Sequence, residues 1–142
     1  MAHRVLVVDD EADLLFLFQK KLKLRQYECF VATNSADGWT IAQQEQPDLV
    51  ILDLLLSGQH GFVLLRRLKN DPVLRKTKVI IMTAMTSAAT RTEALRLGAE
   101  AYFEKPLDMG KLVETIERLL GGPQTSASSA SDECGIAPPS DS

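Results

Sequence analysis

The chain has 142 residues, which suits one domain around a single core. Hydrophobic residues make up 45% and charged residues 25%, as in an ordinary soluble protein, and no apolar stretch approaches the roughly 18 residues of a membrane span. All 16 Lys and Arg lie in residues 1–120 with 16 of the 19 acids, so the domain is neutral, shows no basic stripe and lacks the electrostatic footprint of nucleic-acid binding.

The N-terminus enters a strand pattern directly, with no basic region leading into an apolar signal segment, so a cytoplasmic location is expected. The first strand, at about 4–8, runs through Val5–Val8 into Asp9-Asp10. A helix follows at about 11–25. At about 100° per residue, Leu14, Leu15, Phe18 and Leu22 share a buried stripe, whereas Phe16 points nearly opposite, beside Lys20 and Lys23. A second strand at about 28–32 holds Cys29, read as a small core residue, and a helix follows at 35–45. The third strand, about 48–53, is a continuous apolar run ending in Asp53, with a helix at 60–69. The fourth, about 78–83, is equally apolar and ends in Thr83, with a helix at 87–97. The fifth, about 100–104, runs into Lys105-Pro106. The last helix, about 108–120, carries Leu112, Val113, Ile116, Leu119 and Leu120 on one stripe, and Gly121-Gly122-Pro123 stops it.

Residues 121–142 are rich in Ser, Ala, Pro and Gly without hydrophobic periodicity, which predicts a disordered tail or a linker. Cys29 and Cys134 form neither a zinc spacing nor a disulfide framework. Residues 1–120 are therefore the folded domain. Strict strand–helix alternation predicts right-handed crossovers and a parallel sheet with helices on both faces. Five strands fit the flavodoxin-like α/β fold, a (βα)5 three-layer sandwich of strand order 2-1-3-4-5. Its switch point lies between strands one and three, where Asp9-Asp10 and Asp53 end their runs.

Three carboxylates, a hydroxyl and an ammonium would thus share one sheet edge. Asp9 and Asp10 suit a hard cation such as magnesium, although either could instead cap the next helix. Asp53, ending a buried strand, is costly unless paired or metal-bound, and a carboxylate there can accept a phosphoryl group. Thr83 could donate to a phosphoryl oxygen, or be an ordinary β-branched strand residue. Lys105 offers a point charge for a phosphate oxygen, and a cis bond to Pro106 would fix the loop that aims it.

In this order the motifs resemble the receiver domain of bacterial two-component response regulators. They are the VLVVDDE start, Val-Ile-Leu-Asp at 50–53, Gly61 eight residues beyond Asp53, Ile-Met-Thr-Ala at 81–84, and Lys105-Pro106. The resemblance implies that Asp53 is phosphorylated and that Asp9, Asp10, Asp53 and the Leu55 backbone carbonyl hold Mg2+. It also implies that Thr83 and Lys105 meet the phosphoryl oxygens and that Tyr102 is a switch aromatic following Thr83. The donor would be a phosphohistidine on a histidine kinase or histidine phosphotransfer protein. The domain would catalyse that transfer and its own slow dephosphorylation, and would control an unknown downstream protein. The fourth helix, fifth strand and fifth helix would be the surface for output or a phosphorylation-dependent dimer.

The chain departs from the family in places. Ser57 stands where a proline is usual and His60 where an acid is common; His60 could titrate near neutral pH or be a plain loop residue. His3 has no evident partner. Leu55 and Met85 flank the site with apolar side chains where polar ones would position an attacking water, which predicts a long-lived phosphoryl state. Phe16 is either part of a docking face for phosphotransfer helices or an isolated exposed aromatic. Two rival functions are an unphosphorylated interaction module of the same fold and a metal-dependent phosphatase. The phosphatase would want a general acid where Leu55 stands. No output domain follows residue 120, so a stand-alone receiver is expected, or the receiver of a longer regulator.

Overall fold

The computed structural model describes residues 3–56, 59–84 and 87–121, with the side chains of 56, 59 and 60 excepted. The expectations for Ser57, Met85, the His60 side chain, Cys134 and the tail from 122 onward lie outside the described residues. Among the described residues, seven strands occur: β1 (Arg4–Val8), β2 (Glu28–Ala32), β3 (Leu49–Asp53), β4 (Leu55–Leu56), β5 (Gln59–His60), β6 (Lys78–Thr83) and β7 (Ala101–Glu104). The helices are α1 (Ala12–Leu24), α2 (Ser35–Glu45), α3 (Gly61–Asn70), α4 (Ala88–Arg96) and α5 (Met109–Leu119), with a short 3-10 turn at Leu74–Lys76.

The five long strands form one parallel sheet in the order β2-β1-β3-β6-β7, the expected 2-1-3-4-5 arrangement. The segment after Asp53, expected as a loop, holds the antiparallel pair β4–β5, with Leu55 opposite His60. Two-residue strands are too short to show periodicity in sequence.

Strand alternation divides the core in two. Leu6, Val8, Val50, Leu52, Val79 and Ile81 face one side, packed with residues of α2, α3 and α4. Val5, Val7, Leu49, Ile51, Ile80 and Met82 face the other, with Leu15, Phe18 and Leu22 of α1 and Leu112 and Ile116 of α5. Each fully buried aliphatic stabilises the fold by about 1.5–3 kcal/mol relative to exposure, so both apolar faces must stay covered. Helix starts are fixed locally: Asn34 accepts from the Asp37 amide at 2.8 Å and Asp108 from the Lys111 amide at 3.1 Å.

One side chain read as bland is more engaged. His3 Nδ1 lies 3.5 Å from Asp48 Oδ2, a pairing across 45 residues that local pattern cannot reveal. Cys29 is half-buried and free, and burial pushes its thiol up to about 12, which keeps it protonated and unreactive.

Candidate functional site

The carboxyl ends of β1, β3, β6 and β7 bring the polar residues together. The Asp9 amide donates to the Ala32 carbonyl at 3.0 Å and so prolongs the β1–β2 pairing by one step. Asp53 is the last residue of β3, in register with Met82 of β6. The Lys105 amide donates to the Thr83 carbonyl at 2.9 Å, which ties the start of the β7–α5 loop to the end of β6. The Lys105–Pro106 peptide is cis. Gly61 opens α3 directly against β3: a Cβ there would stand 2.5 Å from the Asp53 carbonyl oxygen.

Lys105 Nζ is the centre of the cluster. It donates to Asp9 Oδ2 at 2.8 Å, to Glu11 Oε1 at 2.8 Å and to Asp53 Oδ2 at 3.0 Å. The remaining oxygens of the buried aspartates are held by backbone: Asp9 Oδ1 accepts from the Glu11 amide and Asp53 Oδ1 from the Leu55 amide, both at 2.8 Å. Glu11 was missed in the sequence. It stood in plain view in VLVVDDE, but its contact with Lys105 spans 94 residues.

Burial dominates Asp9 and raises its carboxyl above the ordinary range, although Lys105 and the Glu11 amide pull downward. At Lys105 burial also works against charge, but the bonds to Asp9, Glu11 and Asp53 prevail and push the ammonium upward. Formally, Asp9, Asp10, Glu11 and Asp53 set four negative charges against that ammonium. Asp9, Asp10 and Asp53 each offer a carboxylate oxygen, all within 4.8 Å of one another. An all-oxygen donor set with surplus negative charge fits a hard divalent cation such as Mg2+.

Thr83 is fully buried at the end of β6. By strand parity it shares a face with Ile81, on the α4 side, and half-buried Tyr102 packs against the same core. Asp53 shares the opposite face with Ile51, on the side of α1 and α5. The Arg91 guanidinium sits 5.7 Å from the Tyr102 ring centroid. Leu55 is 44% exposed, beside the acidic cluster.

A cleft of about 890 Å3 adjoins the cluster, lined by Glu11, Leu14, Leu17, Lys105, Pro106 and Leu107 among others. Phe16, on the same helix, is 62% exposed as its helical position predicts, with Lys20 Nζ 5.4 Å from its ring centroid. Among the described residues, no helix is long and apolar enough to cross a membrane.

Comparison with known proteins agrees with this geometry. The sequence signature described as Response regulator receiver domain matches residues 5–117. PilH of Pseudomonas aeruginosa is 33% identical over 119 residues, covering 84% of this chain and 98% of PilH. Sporulation initiation phosphotransferase F of Bacillus subtilis is 32% identical over 120 residues, covering 84% of this chain and 95% of that protein. Response regulator PleD of Caulobacter vibrioides is 34% identical over 108 residues, which span 76% of this chain but only 24% of PleD. A CheY-like receiver domain from Methanospirillum hungatei superposes with a TM-score of 0.78 at 28% identity, covering 84% of this chain and 94% of that one. With the five-stranded parallel sheet, the acidic crevice at its carboxyl edge and these relatives in agreement, the chain belongs to the receiver domains of two-component response regulators.

Proposed function

We propose that this receiver accepts a phosphoryl group on Asp53 from a phosphohistidine of a histidine kinase or histidine phosphotransfer protein. One observation carries the reading: a buried Asp53 carboxylate lies 3.0 Å from the Lys105 ammonium, beside two further aspartates. An Asp53 oxygen attacks phosphorus opposite the donor nitrogen. The O–P bond forms as the N–P bond breaks, the electron pair stays on the imidazole, and that nitrogen takes a proton from solvent. Asp9, Asp10, Asp53 and the Leu55 carbonyl would hold Mg2+, which when bound neutralises charge on the phosphoryl and carboxylate oxygens. Lys105 and Thr83 bind phosphoryl oxygens. The pull on Thr83 draws Tyr102 inward on the α4 side, a shift between two packings that a partner protein or a second copy reads. Water later attacks phosphorus and releases inorganic phosphate from Asp53, so the domain resets itself without turning over an external substrate.

The donor docks along α1 and the adjoining cleft, with Phe16 as an apolar contact. The expected setting is the cytoplasm. Both a receiver alone, as the span of PilH suggests, and one within a longer regulator, as that of PleD suggests, suit this chemistry.

The test is incubation with Mg2+ and acetyl phosphate, followed by intact mass. The wild type gains one phosphoryl group and Asp53→Asn gains none. Failure of the wild type to gain mass, with candidate kinases also tried, would favour an unphosphorylated interaction module.

A further inference from the structure

An ammonium has three N–H donors. In this structure Asp9, Glu11 and Asp53 engage Lys105 at 2.8, 2.8 and 3.0 Å. A phosphoryl oxygen approaching Asp53 needs one of those donors before the O–P bond forms, while Asp53 is still a carboxylate, so one carboxylate has to yield. Asp9 and Asp53 are poor candidates. Their side chains are 0% and 3% exposed, and each is pinned at its second oxygen by a backbone amide. Separating a buried ion pair leaves an unsolvated charge. The Glu11 side chain is 61% exposed, and water can solvate it as soon as it lets go. An exposed ion pair contributes little, so this link is the weakest of the three.

We propose that Glu11 is a positioning residue: a removable third acceptor that holds the Lys105 ammonium in the resting state and surrenders it to the phosphoryl oxygen. The proposal rests on the phosphoacceptor reading of Asp53. Glu11 thereby fixes the aim of Lys105 before phosphorylation and opposes it modestly during the transfer. Reach matters as well as charge, because aspartate at this position is one methylene too short to span the same gap.

The test compares wild type with Glu11→Gln and Glu11→Asp, using acetyl phosphate and Mg2+ and scoring the initial rate by intact mass. Both variants are expected to phosphorylate about two- to five-fold faster, the weight of one exposed ion pair. Equal rates in all three, slower variants, or acceleration by Gln alone would overturn the proposal, the last because bulk charge would then suffice. A second readout needs no phosphorylation: solvent exchange of the Lys105 ammonium protons, followed by 15N NMR in the unmodified protein. Exchange is expected to quicken several-fold in both variants, and unchanged exchange would overturn the holding role. A wild type that takes up no phosphoryl group would overturn the phosphoacceptor reading and the release step with it. The ammonium measurement would still decide the holding role.

Discussion

Gly61→Ala is predicted to be among the most damaging single-methyl changes in the domain. The added Cβ would lie 2.5 Å from the Asp53 carbonyl oxygen, 2.9 Å from Leu54 Cα and 3.2 Å from the Asp53 carbonyl carbon. Carbon and carbonyl oxygen ordinarily approach no closer than about 3.3 Å, so α3 and the β3 terminus must part by roughly 0.8 Å. The obstacles are backbone atoms of the buried residues Asp53 and Leu54, which cannot rotate aside. Overpacking of this kind costs about 1–3 kcal/mol. Weakening the Gly61 amide bond to the Leu54 carbonyl, now 3.0 Å, adds about 1 kcal/mol. The better helix propensity of alanine returns up to about 1 kcal/mol. The net loss is roughly 1–4 kcal/mol, and with a urea slope of about 1–3 kcal/mol/M the midpoint should fall by at least about 0.3 M. Displacing the Asp53 peptide should also slow phosphorylation by acetyl phosphate in the molecules that remain folded. A midpoint equal to or above wild type would refute the reasoning.

Three further outcomes are expected. The raised Asp9 pKa means that the native state binds more protons than the unfolded chain above the ordinary value of 3.8. The stability Asp9 contributes is therefore full below that value and is lost as pH rises through the folded one; urea titrations without metal should show wild type losing stability relative to Asp9→Asn over that window, and a flat difference would contradict it. Leu55→Asn should hasten loss of the phosphoryl group, since about 1.4 kcal/mol of help to an attacking water is ten-fold in rate; an unchanged decay, followed by intact mass, would remove Leu55 as the cause of slow resetting. Phe16→Ala should weaken transfer from a phosphohistidine donor by about 30-fold if Phe16 is a hot spot worth about 2 kcal/mol, while leaving acetyl phosphate reactivity intact. Equal loss with both donors would point to a folding defect instead.

The sheet was legible because its central strands are continuous apolar runs and a helix pattern separates each pair, so Val50–Leu52 and Val79–Met82 could be read as buried parallel strands. The acidic crevice was legible because Asp9, Asp53 and Lys105 each follow or end such a run, and topology brings those strand ends together, whereas Thr83 ends its run on the opposite face. What stayed hidden depends on reach or on close approach. Glu11 is a surface acid until Lys105 is seen beside it. Gly61 was visible as a spacing, but its reason, a backbone-to-backbone contact, exists only in three dimensions. The β4–β5 pair is too short to leave a pattern, and the His3–Asp48 contact joins distant segments at the opposite end of the sheet.

The two-faced core has a consequence for signalling traffic. The acidic crevice, α1 and its cleft share one flank of the sheet, whereas Thr83, Tyr102 and α4 belong to the other. Under the phosphoacceptor reading, the sheet would separate a loading flank from a reading flank. A donor on α1 and a reader on α4 would occupy separate territory. Handover could then proceed through a three-protein assembly, with the message crossing from the end of β3 to the end of the adjacent β6 while both neighbours are in place.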